Sequence, residues 1–297
     1  MMVQHETPVP VVSVIITTNN RKAWVVEALE SVFAQTYSDY EVIVVDDGSK
    51  DGTFEHLQQR FGEHIRLFKT EGTNCPTARN YGAEQALGRY LAFLDDDDRW
   101  YPQKLEKQVA FMEASGTQVG MVGSACDHMN REGQPIWKPA YPDAELTYER
   151  ACIKPKLPGA ISGCLIRTAV FRELDGFDLG LTRNQDRDLW IRLTRRYRVP
   201  MLQEVLSTVR IHGTQRRGVN TDTIEQCRLM VNQRIPERLL RRKADAWTYF
   251  HLFNLNWDDR KPKAIQCLLK SFWAYPAPLP IPEQRIKIAL RRLLGRH

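Results

Sequence analysis

Residues 90–98 read YLAFLDDDD, five mostly apolar residues that run straight into four aspartates. A short continuous apolar run ending in polar residues reads as a strand buried on both faces. The acids then project from a rigid edge rather than a loose tail. Working outward, the pattern repeats. Val11–Thr18 (VVSVIITT) and Glu41–Val45 (EVIVV) are β-branched strands, the second ending in the turn Asp46-Asp47-Gly48-Ser49. Ile65–Phe68 is a third, shorter strand and Gln118–Gly123 a fifth. Between them, residues 22–35 have helical spacing, with Val25, Leu29, Val32 and Phe33 on one face. Pro76 opens a helix over 77–87 and Pro102 another. This β-α-β-α-β order predicts an α/β protein with a Rossmann-like, mostly parallel sheet flanked by helices on both faces. Ligands of such sheets bind outside the carboxyl ends of the strands. Both acidic clusters, 46–47 and 95–98, stand there.

Further along, residues 133–159 carry prolines at 135, 139, 142, 155 and 158 and read as irregular structure. Ile161–Arg167 is strand-like and Ala169–Leu174 a short helix. Asp186–Tyr197 is a stronger helix with Leu189, Trp190 and Leu193 facing inward, and Leu206–His212 a last strand. Beyond about 225 the alternation yields to helical, basic, Trp-containing segments. The expected organisation is one α/β domain over 1–225 and a helical basic extension over 226–297.

Of the 297 residues, 42% are hydrophobic and 26% charged, which excludes a mainly disordered or collagen-like chain. No apolar stretch approaches the ~18 residues of a membrane-spanning helix, and MMVQHETPVP does not resemble a secretory leader. Six cysteines without a CxxC pair predict reduced, mostly buried thiols and a cytoplasmic protein. The net charge of +6 is uneven: residues 234–297 hold 14 Lys and Arg against 5 Asp and Glu. Residues 283–294 (EQRIKIALRRLL) form an amphipathic helix, with Ile286, Ala289, Leu290, Leu293 and Leu294 on one side and Arg285, Lys287, Arg291 and Arg292 on the other. Two readings stand: an interfacial helix on anionic lipid, giving peripheral contact with the inner face of the cytoplasmic membrane, or packing within the chain.

Charge alone leaves the DDDD run open between a solvated turn and a metal–diphosphate site, because Mg²⁺ and Mn²⁺ favour carboxylate oxygens. Asp46-Asp47-Gly48-Ser49 is either a plain turn or an acceptor for a nucleobase or ribose. Neither GxGxxG nor GxxxxGK[ST] nor GxSxG is present, so dinucleotide oxidoreductases, P-loop phosphotransferases and α/β-hydrolases lose support.

The ordered set VSVIITTNN, SVFAQTY, EVIVVDDGSKDGT, PTARNYGA, RYLAFLDDDDRW, SGCLIRTAVFRELDGFD, NQDRDLWIRL and VRIHG resembles family 2 glycosyltransferases over about residues 11–215. The resemblance implies a GT-A fold and inverting sugar transfer from a nucleotide-sugar, a UDP-sugar first among them. The acceptor would be a glycan or lipid-linked hydroxyl of the cell-surface polysaccharide type, with Mn²⁺ or Mg²⁺ as cofactor and no nucleic-acid partner. By position, Thr17 and Asn19 border the donor, Asp47 reads the base, and Arg79 lies near the nucleotide. Asp95 and Asp96 lie at the donor, and Asp97 reaches the metal. Asp186 matches the general base, and His212 a residue at the metal or diphosphate. Departures are Gln185 where glutamate is frequent, Asn19 where an aromatic is common, and Asn74-Cys75-Pro76 in place of a glycine-rich approach. A nucleotidyltransferase would want a glycine-rich basic loop where Thr17–Asn20 stands. A non-catalytic basic-tailed binding protein would have no use for Asp97.

Overall fold

The computed structural model describes residues 9–137, 143–154, 157, 159–211, 220–279 and 285–293. The chain divides into two compact units: Met1–Leu146 with Leu157–Thr182 and Arg192–Thr214, and Thr147–Lys156 with Arg183–Ile191 and Gln215–His297. The expected boundary was a single cut at 225. The observed division is discontinuous, because two mid-chain segments belong with the C-terminal helices.

The first unit begins as a run of strands and helices: β1 (Val12–Thr18), α1 (Lys22–Phe33), β2 (Tyr40–Asp47), α2 (Thr53–Phe61), β3 (Arg66–Thr70), α3 (Cys75–Glu84), β4 (Tyr90–Asp95), β5 (Arg99–Trp100) and α4 (Lys104–Ala114). It continues through β6 (Met121–Met129), β7 (Pro135–Trp137), a 3₁₀ turn (Ala160–Gly163), β8 (Leu165–Arg167), α6 (Thr168–Glu173) and β9 (Met201–Arg210). The sheet order is β3-β2-β1-β4-β8-β6-β9-β5, with β7 beside β6. β1 pairs parallel with β2 and β4, and β2 with β3. β8 runs antiparallel to both β4 and β6, which makes the sheet mixed.

Burial on both faces explains the unbroken apolar runs. Val12, Val14, Ile16, Val42 and Val44 pack with Val25, Ala28, Leu29 and Val32 of α1. On the other face α3 approaches β1 closely at Gly82, where a Cβ would meet the Ile15 side chain at 2.7 Å. That approach sets the N-terminus of α3 beside the strand ends.

Several elements differ from expectation. β6 extends to Met129 instead of stopping at Gly123, because its polar Asp127 accepts a hydrogen bond from the Tyr101 hydroxyl at 2.7 Å. The strand foreseen over Ile161–Arg167 is a 3₁₀ turn followed by a three-residue strand. Gly159 and Ala160 adopt positive φ and bend the chain there. The proline-rich stretch contains β7 and the helix α5 (Tyr148–Ile153). β9 begins five residues before the strand expected at Leu206, and His212 lies outside the described residues.

The second unit holds α5, the start of α7 (Gln185–Thr194), α8 (Thr221–Gln233), α9 (Arg238–Asn256), α10 (Lys261–Ala274) and α11 (Arg285–Leu293). Its core joins Ile153, Trp247, Phe250, Phe253, Ala264, Cys267, Leu268, Leu279 and Ala289. The expected polar face of the terminal helix is corrected at Arg285. This side chain is buried and donates to the Ser271 and Tyr275 carbonyls at 3.0 and 2.6 Å. All six cysteines are free thiols and all but Cys75 are buried. Among the described residues no helix is long and apolar enough to cross a membrane.

Candidate active site

The carboxyl ends of β1, β2 and β4 and the first turn of α3 enclose a cleft of about 380 Å³. Thr17, Asn19, Asp47, Arg79, Asp95, Asp96 and Asp97 all line it, together with Thr18, Arg21, Cys75 and Ala78. Seven residues singled out from sequence therefore come together in the first unit. Asp186, the eighth described candidate, is a half-buried residue in the first turn of α7, in the segment assigned to the second unit.

Asp47 is held by neutral donors. Its Oδ1 accepts from the Thr70 hydroxyl at 2.6 Å and from the Thr73 backbone and hydroxyl at 2.8 and 3.0 Å. Oδ2 takes none of these bonds. The turn that presents Asp47 requires glycine at 48: φ is 78°, and a Cβ would meet the Gly72 nitrogen at 2.7 Å. Asn19 donates through its side chain to the Asp47 carbonyl. Asn20, at φ 53°, ties the β1 loop to the β2 turn through Ser49 and Lys50, both at 2.8 Å. Asparagine is among the few residue types that tolerate this conformation.

The four aspartates after β4 behave differently from one another. One oxygen each from Asp95, Asp97 and Asp98 lies within 4.8 Å of the others. Asp98 is buried, accepting from Ser162 Oγ at 2.6 Å and from the Arg210 backbone at 3.0 Å. Burial, then the neighbouring Asp95 and Asp97, hold its pKa well above the carboxylate range. Asp96 is also buried, and its pKa is pushed up to about 6 by that burial against the pull of Arg21. Its oxygens accept from Thr18 Oγ1 and Arg21 Nη1, each at 2.8 Å. The same Arg21 nitrogen lies 2.8 Å from Asp97 Oδ2. Burial disfavours the Arg21 charge, but Asp96 and Asp97 outweigh it and raise the guanidinium above its ordinary value. Arg79, buried on α3, donates to Asp95 and stacks 5.4 Å from the Phe177 ring centroid. From below, Arg210 donates to the Asp97 carbonyl at 2.9 Å and pairs with Glu27.

A crowded set of hard oxygen donors fits Mg²⁺ or Mn²⁺, and Arg21 and Arg79 are cations paired with it in this structure. The α3 N-terminus, capped by Asn74 accepting from the Thr77 backbone at 3.0 Å, adds backbone polarity that favours an anion. Arg21, Asp98, Ser162 and Arg210 were not singled out from sequence. For Asp98 the signal was present in the four-residue run. For Ser162 and Arg210 only the fold reveals the partner.

A family model described as glycosyl transferase family 2 matches residues 13–175. The chain belongs to glycosyl transferase family 2. A glycosyltransferase of uncharacterized role from Rickettsia bellii is 32% identical over 249 residues, covering 81% of this chain and 36% of the relative. The chain thus spans about a third of that relative's length. S. aureus TarS 1–349 in complex with UDP superposes with TM-score 0.66 at 17% identity, covering 90% of this chain and 81% of TarS. The mannosyltransferase PcManGT from Pyrobaculum calidifontis, in complex with GDP-Man and Mn²⁺, does so with TM-score 0.58 at 19% identity, covering 96% and 80%. The architecture of this family 2 chain is accordingly the GT-A fold.

Proposed function

We propose that the chain is a metal-dependent, inverting glycosyltransferase. It moves a sugar from a nucleotide-sugar, a UDP-sugar first, to a hydroxyl of a glycan or lipid-linked acceptor of the cell-surface polysaccharide type. It works in the cytoplasm at the inner face of the cytoplasmic membrane. The observation that carries this reading is the cleft lined together by Asp47, with its neutral donors, by the crowded Asp95 and Asp97, and by the first turn of α3. In the reading, Thr17, Asn19 and Asp47 hold the nucleoside, with Asp47 Oδ2 accepting from the base edge. Arg79 fixes Asp95 near the ribose, and Asp96 anchors Arg21. Asp97, with Asp95, holds Mn²⁺ or Mg²⁺, and His212 joins on the strength of its motif position. The ion, when bound, offsets negative charge on the departing diphosphate. Arg21, which lines the cleft beside Asp97, would meet the same phosphates.

Asp186 is the proposed base, from its place in the motif order. It accepts the acceptor hydroxyl proton as the new C–O bond forms and the bond to the diphosphate breaks. A single base with in-line attack inverts the anomeric centre. Gln185 leaves one charge fewer beside Asp186 than a glutamate would.

Purified protein with Mn²⁺ or Mg²⁺, offered UDP-, GDP- and dTDP-sugars, is expected to show slow hydrolysis and thermal stabilisation with one donor class. Asp186→Asn is expected to abolish transfer while donor binding survives. Transfer at the wild-type rate by that variant rejects the base assignment, and indifference to every donor rejects the transferase reading.

A further inference from the structure

The second unit leaves one apolar face without a partner among the described residues. On α10, Ala264, Cys267, Leu268 and Ser271 face inward and are buried. The opposite side carries Ile265, Leu269 and Trp273 at i, i+4 and i+8, so they form one stripe along the helix. Their exposure rises along it, from 44% to 66% to 88%. A tryptophan this exposed costs a soluble surface more than a scattered leucine does, and here it ends a row rather than standing alone.

The stripe continues onto α9. Arg242 donates through Nε to the Ala274 carbonyl at 2.8 Å, which ties the first turns of α9 to the Trp273 end of α10. One turn earlier Leu239 is 58% exposed. Between the two helices lies a crevice of about 740 Å³, lined by Arg242, Tyr249, Leu269 and Trp273, with Asp245 also in its wall. Charge gathers at the same end: Arg238 and Arg242 are exposed and Arg241 half-buried on the first turns of α9. The other end, in the turn before and the start of α10, is mixed: Asp258 and Asp259 stand beside Arg260 and Lys261, all four exposed.

We propose that this α9–α10 face is a docking surface for an anionic lipid bilayer, with Trp273 and Leu269 seated at the headgroup–acyl boundary and Arg238, Arg241 and Arg242 against lipid phosphates. Tryptophan favours that boundary, because its ring is apolar and its N–H polar. Basic residues beside an apolar stripe draw it to anionic lipid. This places membrane contact on α10 and α9 rather than on the terminal helix, where Arg285 and Ala289 are turned into the unit's own core. The proposal goes beyond the transferase reading and stands whether or not the cleft transfers sugar.

The test is flotation of the full chain with vesicles of phosphatidylcholine alone and of phosphatidylcholine mixed with phosphatidylglycerol. The protein is expected to float only with the mixed vesicles and to be released by salt. Leu269→Ser combined with Trp273→Ser is expected to lower partitioning roughly tenfold. Its melting curve and any nucleotide-sugar hydrolysis should be unchanged, since both side chains are exposed and neither lines the cleft. Arg238→Glu with Arg242→Glu, a second and purely charge-based variant, is expected to lose binding most strongly at low salt. Wild-type protein that stays in the lipid-free fraction overturns the proposal. So does a Leu269→Ser/Trp273→Ser protein that floats like wild type. A wild-type dimer that the same pair of changes turns into a monomer assigns the face to a second copy and overturns it as well.

Discussion

Two acidic turns flank β1, one after β2 and one after β4, and they solve the problem of charge in opposite ways. Asp47 has three neutral donors on one oxygen and no carboxylate bonded to it. Asp95, Asp97 and Asp98 crowd within 4.8 Å, and the burial of Asp98 raises its pKa. A carboxylate solvated by hydroxyls and a backbone N–H is prepared to accept further neutral hydrogen bonds, as from a base. A cluster whose carboxylates crowd one another even with Arg21 and Arg79 paired to them is prepared for a further cation. The same residue type at the ends of the two parallel strands on either side of β1 thus stands in two different electrostatic settings.

The largest test of this contrast is Asp97→Ala. Removing a carboxylate from the crowded turn should cost turnover of the preferred donor about 10³-fold or more. The melting temperature should hold or rise, because repulsion is relieved. A large loss of stability with retained turnover would break the comparison.

The next test turns from crowded acids to a buried cation. Lys104 is fully buried, donating to Gln108 at 2.7 Å and lying 4.0 Å from the Trp100 ring centroid. Burial lowers its pKa to about 7. Between pH 7 and the ordinary lysine range, the unfolded chain binds a proton that the folded chain does not. Stability should therefore rise with pH across that window, by at most about 1.4 kcal/mol per unit, and be flat in this respect below it. Denaturant melts of wild type and Lys104→Met should show that slope only in the wild type. A flat response across that window would mean that Lys104 stays charged in the folded chain.

Asp47→Asn should act more mildly. The amide keeps the shape and loses the charge, so the donor KM is expected to rise roughly tenfold with kcat little changed. A fall in kcat alone would move Asp47 from recognition to chemistry. The smallest effect is expected from Arg21→Ala in metal binding without donor. Mn²⁺ titration by calorimetry should show affinity raised about threefold, since a competing cation has left Asp96 and Asp97. Weaker Mn²⁺ binding would show that Arg21 organises the turn rather than competing for it.

Much of this contrast was legible in the linear chain. YLAFLDDDD and EVIVVDD show buried strands delivering acids to a sheet edge, since strands covered on both faces need no alternation. The end of β6 is not legible because Ser124, Asp127 and His128 break the apolar run after Gly123, and the bond that Asp127 Oδ2 accepts from Tyr101 comes from 26 residues away. Pro158-Gly159 signals a turn, but the 3₁₀ turn that follows over Ala160–Gly163 carries no signal of its own. That turn aims Ser162 at Asp98. The burial of Arg285 was missed because helical periodicity ranks a guanidinium as outward. Carbonyls at the end of α10 receive it instead.

Local chemistry along the chain was enough to specify the parallel strands, the helix starts at Pro76 and Pro102, and the acidic clusters at strand ends. Those features depend on side-chain period and on residues a few positions apart. The charge state and partners of each aspartate came from the folded arrangement. Arg21 reaches Asp96 across 75 residues, and Arg210 reaches the Asp97 carbonyl across 113. Strand register and helix approach bring such groups to within 3 Å. Interactions over those separations have no periodic trace in the sequence, so the three-dimensional fold alone assigns each acid its role.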